Sequence, residues 1–453
     1  MTPAPTLGWF GIVRLGLVQT ALGAIVVLTT STMNRVMVVE LALPAMLPGF
    51  LVGLHYAIQI SRPRLGYGSD VGRRRTPWIV GGMAVLALGG FGAAVATAWM
   101  GSSVPAGTAL AIVAFLMIGL GVGASGTSLL VLLAKATAPH RRPAAATICW
   151  VMMIAGFIVT AGVAGANLDP FTPARLMAVT GTVSAIAFAV TCVAVWGVER
   201  RHVPVVPALH REDEDAAPPF REAFRQVWEE PASRGFALFV FVSMLAYSAQ
   251  DLILEPFAGT VFGMTPGQST QLAGMQHGGV LLGMILVGVI GTLTRGRSRD
   301  ALRAWSIGGC LASALVLGGL AMAGLVGPAW PLVPTVFALG VANGAFAVAA
   351  IGSMMDRVGA GRESREGVRM GLWGAAQAVA FGLGGFLGTV AIDIARALIA
   401  DPAAAYATVF LAEGALFLFA AVLAARLATG RAAIAPAFRA DAPEAMGAKV
   451  MGA

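Results

Sequence analysis

The sequence predicts an all-α, polytopic membrane protein with twelve transmembrane helices in two six-helix bundles. Three observations predict it. The 453 residues are 57% apolar and only 11% charged, whereas a soluble domain carries about 25% charged residues. The apolar residues run in continuous stretches of the roughly 20 residues that hydrocarbon demands of a helix, without the alternation of a β-barrel. Basic residues fall almost entirely between alternate stretches. The mean hydropathy of +0.81 leaves too little polar surface to cover a water-soluble globule.

In chain order the spans are expected at 14–34, 44–61, 77–99, 106–134, 144–166, 176–198, 235–255, 270–293, 303–326, 331–355, 368–395 and 403–427. The first is the least clean, because Asn34, Arg35 and Glu40 interrupt its end. Of the 30 lysines and arginines, 27 lie at the two chain ends or in one alternate set of loops. Only Arg35, Arg175 and Arg396 lie in the other set. Under the positive-inside rule the basic loops and both termini face the cytoplasm. An odd number of spans would scramble that asymmetry. The stretch Met1–Val13 has neither a basic leader region nor a small-residue cleavage site, so no cleaved signal peptide is expected.

The longest loop divides the chain into residues 1–198, a first six-helix bundle; 199–234, a linker; 235–428, a second bundle; and 429–453, a tail. In the linker Phe220, Phe224, Val227 and Trp228 recur at helical spacing beside Arg221, Arg225 and Glu229. This reads either as an amphipathic helix on the cytoplasmic membrane surface or as a helix packed on the bundle. Basic loops recur at matching places after spans 2 and 8 and after spans 4 and 10, as two related bundles would place them. The net charge of +8 points to anionic lipid headgroups and not to nucleic acid, because the arginines sit in short loops beside spans. Cys149, Cys192 and Cys310 are isolated within apolar segments and read as packing residues.

Several polar residues stand where polarity is costly. Asp251 and Glu255, four apart near the outer end of span 7, either share a proton on one helical face or cap the span. Glu413 lies deeper, in span 12, and either pairs internally, with Arg396 and Asn343 as candidates, or is held protonated. Asn34, Arg35 and Glu40 close span 1 on the outer side, with Arg35 and Glu40 as a local ion pair. Two histidines lie within spans. His277 stands among Gly274, Gly278 and Gly279, next to Gln276; His55 is followed by Tyr56, with Gln59 one turn on. Neutral imidazole is a good metal ligand, yet each histidine also reads as one hydrogen-bonded within the bundle. Pairs such as Gly119/Gly123 and Gly384/Gly388 read as close helix packing. No Walker-type phosphate loop, His-Glu-x-x-His motif or paired thiol occurs, and no nucleophile–base constellation emerges, so enzyme activity is not expected.

The loop Gly66-Tyr-Gly-Ser-Asp70-Val-Gly72-Arg73-Arg74-Arg75 resembles the signature between spans 2 and 3 of the major facilitator superfamily. The resemblance implies a gating loop in which Asp70 meets the N-terminus of span 11, where the helix dipole favours an anion. The acid-to-glycine gap here is one residue shorter than the pattern, and Val71 stands where a basic residue is usual.

Five further stretches sharpen the resemblance: Arg14–Gln19, Thr32–Leu41, Gln250–Phe257, Gly274–Val280 and Arg369–Gly374. They look like the bacteriochlorophyll delivery (PucC/LhaA-like) family of phototrophic bacteria. That resemblance implies a non-enzymatic assembly factor for light-harvesting complexes in the bacterial inner, intracytoplasmic membrane. It would bind bacteriochlorophyll or a late precursor and pass it to antenna polypeptides, beside bacteriochlorophyll synthase. His277 and His55, with Gln276 and Gln59, are then the candidate pigment contacts, His277 as axial ligand to the pigment magnesium. Two other readings stand beside it. One is a proton-coupled secondary transporter of a small lipophilic or anionic solute; the other is a pigment-free scaffold for antenna subunits.

Overall fold

The computed structural model describes residues 6–59, 74–138, 141–202, 225, 228–293, 299–358 and 366–432. Among the described residues every regular element is a helix. The main ones, in order, are α1 (Trp9–Glu40), α2 (Met46–Ile58), α3 (Thr76–Met100), α4 (Val104–Ala136), α5 (Arg142–Leu168) and α6 (Pro173–Val195), then α7 (Pro231–Asp251, resumed as Leu254–Phe262), α8 (Pro266–Leu293), α9 (Arg299–Val326), α10 (Leu332–Val358), α11 (Glu366–Leu398) and α12 (Pro402–Ala432); short helices at Val198–His202 and Gly327–Ala329 follow α6 and α9. Eleven are long and apolar enough to cross a membrane, and α2 is a shorter apolar helix. The superfamily-like loop (Gly66, Asp70, Gly72 and Arg73) and most of the expected amphipathic segment lie outside the described residues.

The helix starts follow from sequence. Helices α3 to α7 carry proline in their first two positions, where its missing N–H has no bond to lose. Thr172 caps α6, its Oγ1 accepting from Arg175 N at 3.1 Å. At its far end α7 stops at Gly263, which takes a left-handed φ of 65° that any side chain would strain.

Packing separates the helices into two sets of six. Helix α1 packs on α5 and α6, α3 on α4 and α6, and α2 on α4; in the second set α7 packs on α11 and α12, α8 on α10, and α9 on α10 and α12. Each set has its own apolar core. Glycine decides how close the backbones come. A Cβ on Gly82 of α3 would stand 2.6 Å from Ser125 N of α4, and one on Gly384 of α11 2.6 Å from the Leu245 carbonyl of α7. Without a hydrophobic drive between helices in lipid, such close contact supplies the cohesion. The two sets meet along α5 with α8 and along α2 with α11, and α1 reaches the second half of α7.

One end of the molecule gathers the basic residues. There Leu7 N donates to the Ala136 carbonyl, Arg141 lies over the Trp9 ring and Arg14 donates to the Val193 and Trp196 carbonyls. We call this the basic end and its opposite the far end. Two expectations need correction. Span 1 does not close at Asn34 and Arg35; α1 runs on to Glu40 through two π-helical turns, Leu28–Thr32 and Val36–Glu40. Span 7 is not one continuous face, because a turn at Leu252–Ile253 separates Asp251 from Glu255. The two departures share a cause. The broken turn in α7 exposes the Leu252 carbonyl, and Asn34 Nδ2 donates to it at 2.6 Å. The amide nitrogen of the polar residue that looks like a helix end finds its acceptor in the other bundle.

Candidate functional site

The histidines stand on matching helices, α2 and α8, the second of each bundle. His277 lies where α8 meets α5, half-buried, with its ring edge-on to Phe157 at 4.8 Å. Its Nδ1 lies 2.8 Å from the Ala273 carbonyl of its own helix. A carbonyl only accepts, so Nδ1 carries the proton. In the neutral ring the lone pair is then on Nε2, the arrangement a metal-binding imidazole uses. The surrounding glycines divide in role. Gly274 and Gly279 are consumed by packing: a Cβ on Gly274 would reach Ala161 at 3.2 Å, and one on Gly279 would reach Val341 N at 3.0 Å. Gly278 alone leaves ordinary room, with Phe337 3.8 Å from where its Cβ would be.

His55 differs. It is buried on α2, and its Nε2 lies 2.9 Å from Gln59 Nε2. The neighbouring Tyr56 stacks on Phe381 of α11 at 5.8 Å. The structure therefore joins His55 with Gln59 and spends the ring atom that would take a metal. It does not join His277 with Gln276. The Gln276 side chain turns into the second bundle and donates to Asp251 Oδ1 at 3.4 Å.

The acids of the second bundle lie deep. Glu255 and Glu413 are 2% and 3% exposed, and among the described residues no oxygen of either has a hydrogen-bond partner. Neither expected partner of Glu413 engages it: Asn343 Oδ1 accepts from Ser313 Oγ at 2.8 Å, and Arg396 stands exposed near the end of α11. At the far end Arg35 lies flat on Gly259, where a Cβ would meet Arg35 Nη2 at 3.0 Å and Nε at 3.1 Å. Its guanidinium pairs with Glu40, as expected, and donates to the Met264 carbonyl at 2.6 Å. A cleft of about 570 Å³ opens beside it, lined by Arg35, Glu40, Asp169, Phe171 and Met264 among others. Among the described residues no group of three or more His, Cys, Asp or Glu side chains is set to hold a metal ion.

The profile of the family described as PUCC protein matches residues 32–432. The chain belongs to the PUCC family. This PUCC-family chain is 52% identical over 428 residues to the protein of Rhodobacter capsulatus named Bacteriochlorophyll synthase 44.5 kDa chain, covering 94% of this chain and 97% of that one. It is 31% identical over 405 residues to Protein PucC of Rhodobacter capsulatus, covering 84% and 83%. Among solved structures it resembles a POT family transporter in complex with 5-aminolevulinic acid, with a TM-score of 0.68 at 14% identity over 94% of this chain and 99% of that one. It also resembles the nucleoside transporter NupG, with a TM-score of 0.65 at 13% identity over 92% and 99%. At those identities the likeness speaks to the fold alone, which is that of major-facilitator transporters.

In this PUCC-family protein three acids do work that sequence reasoning missed. Glu199, read as the start of the linker, caps α3: it accepts from Arg75 N at 2.6 Å, Thr76 N at 2.9 Å and Thr76 Oγ1 at 2.7 Å. Arg75 is thereby buried while Arg74 stays exposed. Asp169 and Asp393 cap helices of the opposite bundle. Asp393 had a signal, being an acid inside an expected span; Asp169 and Glu199 follow apolar runs directly.

Proposed function

We propose that this chain is a non-enzymatic membrane factor that holds (bacterio)chlorophyll and delivers it during light-harvesting complex assembly. Membership of the PUCC family supports the assembly role, and the names of its relatives tie the family to bacteriochlorophyll. The observation that carries the pigment reading is the state of His277. Its Nδ1–H donates to the Ala273 carbonyl, which leaves the lone pair of the neutral ring on Nε2, on a helix that packs against the other bundle. The magnesium of a chlorin takes one axial ligand of this kind. His277 would supply it, Ala273 fixes the ring orientation, Phe157 offers an aromatic flank, and Gly278 leaves space beside the ring. His55 is the weaker ligand, because Gln59 already engages its Nε2.

In this reading the partners are antenna polypeptides and bacteriochlorophyll synthase, with anionic lipid headgroups against the basic end. The membrane is the bacterial inner (intracytoplasmic) membrane, with both termini cytoplasmic. The test is an absorption spectrum of protein purified gently from phototrophic membranes, with proteomics on the same sample. A near-infrared pigment band at fixed ratio to protein, reduced at least about tenfold in His277→Ala with the fold intact, is expected; loss of a metal-site ligand has effects of that order or larger. An unchanged band in His277→Ala refutes the ligand assignment. Stoichiometric antenna polypeptides without pigment favour the scaffold reading. The proton-coupled transporter reading rests on the buried Glu413, which has no hydrogen-bond partner among the described residues; transport or loading that ignores pH in both wild type and Glu413→Gln rules it out.

A further inference from the structure

One arginine of the basic end stands on a lipid-facing stripe. On α1 Phe10, Arg14 and Leu17 fall at i, i+4 and i+7, so they share one face. Phe10 is 83% exposed, and Leu17 is exposed below it. On a spanning helix an exposed apolar face meets lipid. Helix α6 runs beside α1 in the opposite direction. Its own exposed stripe carries Ile186 and Val193 and ends on Trp196, 79% exposed. Arg14 joins the two helices: its Nη2 donates to the Val193 carbonyl at 2.7 Å and to the Trp196 carbonyl at 2.6 Å. The last carbonyls of a helix lack partners within it, and the dipole there favours a cation.

Those two bonds satisfy the carbonyls but leave the charge. A guanidinium stays ionised in proteins and carries more donors than these bonds use. Among the described residues neither Nε nor Nη1 of Arg14 has an acceptor, and no carboxylate pairs with it. Glu199, three residues past Trp196, is already engaged by the start of α3. Two more arginines stand beside the same place. Arg141 lies 5.3 Å over the Trp9 ring. Arg201 Nε comes within 3.9 Å of where a Cβ on Gly197 would stand, next to Trp196. Trp9 and Trp196 are both exposed, and such rings favour the headgroup level of a bilayer. Positive charge and open donors thus stand at the head of a groove that is apolar below.

We propose that the groove between α1 and α6 binds one anionic phospholipid. Arg14 donates from Nε and Nη1 to the phosphate, and Arg141 and Arg201 add positive charge beside the headgroup. An acyl chain lies between the Phe10–Leu17 and Ile186–Val193 stripes. The apolar floor selects a lipid, because a free phosphate would touch the rim alone. The leaflet agrees: in the orientation proposed for the chain the basic end is cytoplasmic, and that leaflet carries the anionic lipids. The bound lipid completes the hydrogen bonding of Arg14 and pins the start of α1 to the end of α6. This site rests on the part of the functional reading that sets the basic end against anionic headgroups, and not on the pigment.

The experiment is native mass spectrometry of the full chain in detergent, titrated with phosphatidylglycerol, phosphatidylcholine or inorganic phosphate. Wild type should hold one phosphatidylglycerol about tenfold more tightly than phosphatidylcholine, whose headgroup has no net charge. Arg14→Gln should erase that preference. Arg234→Gln should keep it, since it removes the same charge from an exposed site at the start of α7. Because Arg14 also braces α6, a second comparison leaves it in place. Phe10→Glu sets a carboxylate one turn from Arg14 at an exposed position and should weaken phosphatidylglycerol about tenfold, whereas Phe10→Gln should not. Four results overturn the proposal: equal binding of the two lipids by wild type, a preference retained in Arg14→Gln, equal affinity in Phe10→Glu and Phe10→Gln, or displacement of the lipid by equimolar inorganic phosphate. Lipid is read from mass and pigment from absorbance, so this site and the pigment assignment can fail separately.

Discussion

The two bundles share a fold but not an interior. In the first, the polar groups buried along α3, α4 and α6 are hydroxyls, such as Thr97, Ser125, Ser128, Thr180 and Thr191. Its buried acid, Glu199, sits at the basic end and is satisfied by three donors. In the second, Glu255 and Glu413 are buried among apolar helices, and no hydrogen bond to either exists among the described residues. A carboxyl placed in hydrocarbon without partners is a cost that stability does not explain. The contrast is one of charge: Ser125, Ser128, Thr180 and Thr191 also lack partners among the described residues, but a neutral hydroxyl costs far less to bury than a carboxyl. The histidines differ too. His55, in the first bundle, engages Gln59 through Nε2; His277, in the second, engages Ala273 through Nδ1 instead.

The sharpest way to break this comparison is to remove the satisfied acid. Glu199→Ala leaves the buried start of α3 without its acceptor, and a loss of about 3 kcal/mol is expected. It is read by thermal unfolding in detergent, with the buried thiols of Cys149 and Cys310 reporting exposure. Asn34→Leu should follow with about 2 kcal/mol, because the Leu252 carbonyl then has no donor in a dry interior. Equal stability of that variant would mean that water reaches the broken turn of α7. The smallest effect belongs to Glu413→Gln. It removes no hydrogen bond seen among the described residues, so stability should change by less than about 1 kcal/mol. A loss as large as that of Glu199→Ala would show that Glu413 is structural after all and would erase the contrast between the bundles.

Much of this was legible in the residues. The expected spans match the helices to within a few residues except in α1 and α7, and those two exceptions are informative. Asn34 and Arg35 read as the end of a span because polar side chains seldom sit in hydrocarbon. They continue it because Leu252 and Met264, more than 200 residues away, accept their protons. Asp251 and Glu255 read as one face because helical periodicity assumes an unbroken helix; the turn at Leu252–Ile253 invalidates it. His277 was legible as a candidate, but its tautomer was not, since that depends on a bond to Ala273. Gln276 and His277 meet different neighbours, Asp251 and Ala273, because adjacent residues point about 100° apart on a helix.

The residues alone fixed the number and order of the long helices, and their lengths except in α1 and α7. Hydrocarbon accepts only apolar segments of sufficient length whose backbone groups are satisfied internally, and both conditions are local. Only the tertiary structure decided what each intramembrane polar residue does. Asp393 lies 348 residues from the Ala45 amide that it caps, and Asp169 lies 96 from the Thr265 hydroxyl. Whether an acid caps a helix or stands without a partner depends on the donor opposite it. In a two-bundle protein that donor often belongs to the other half of the chain.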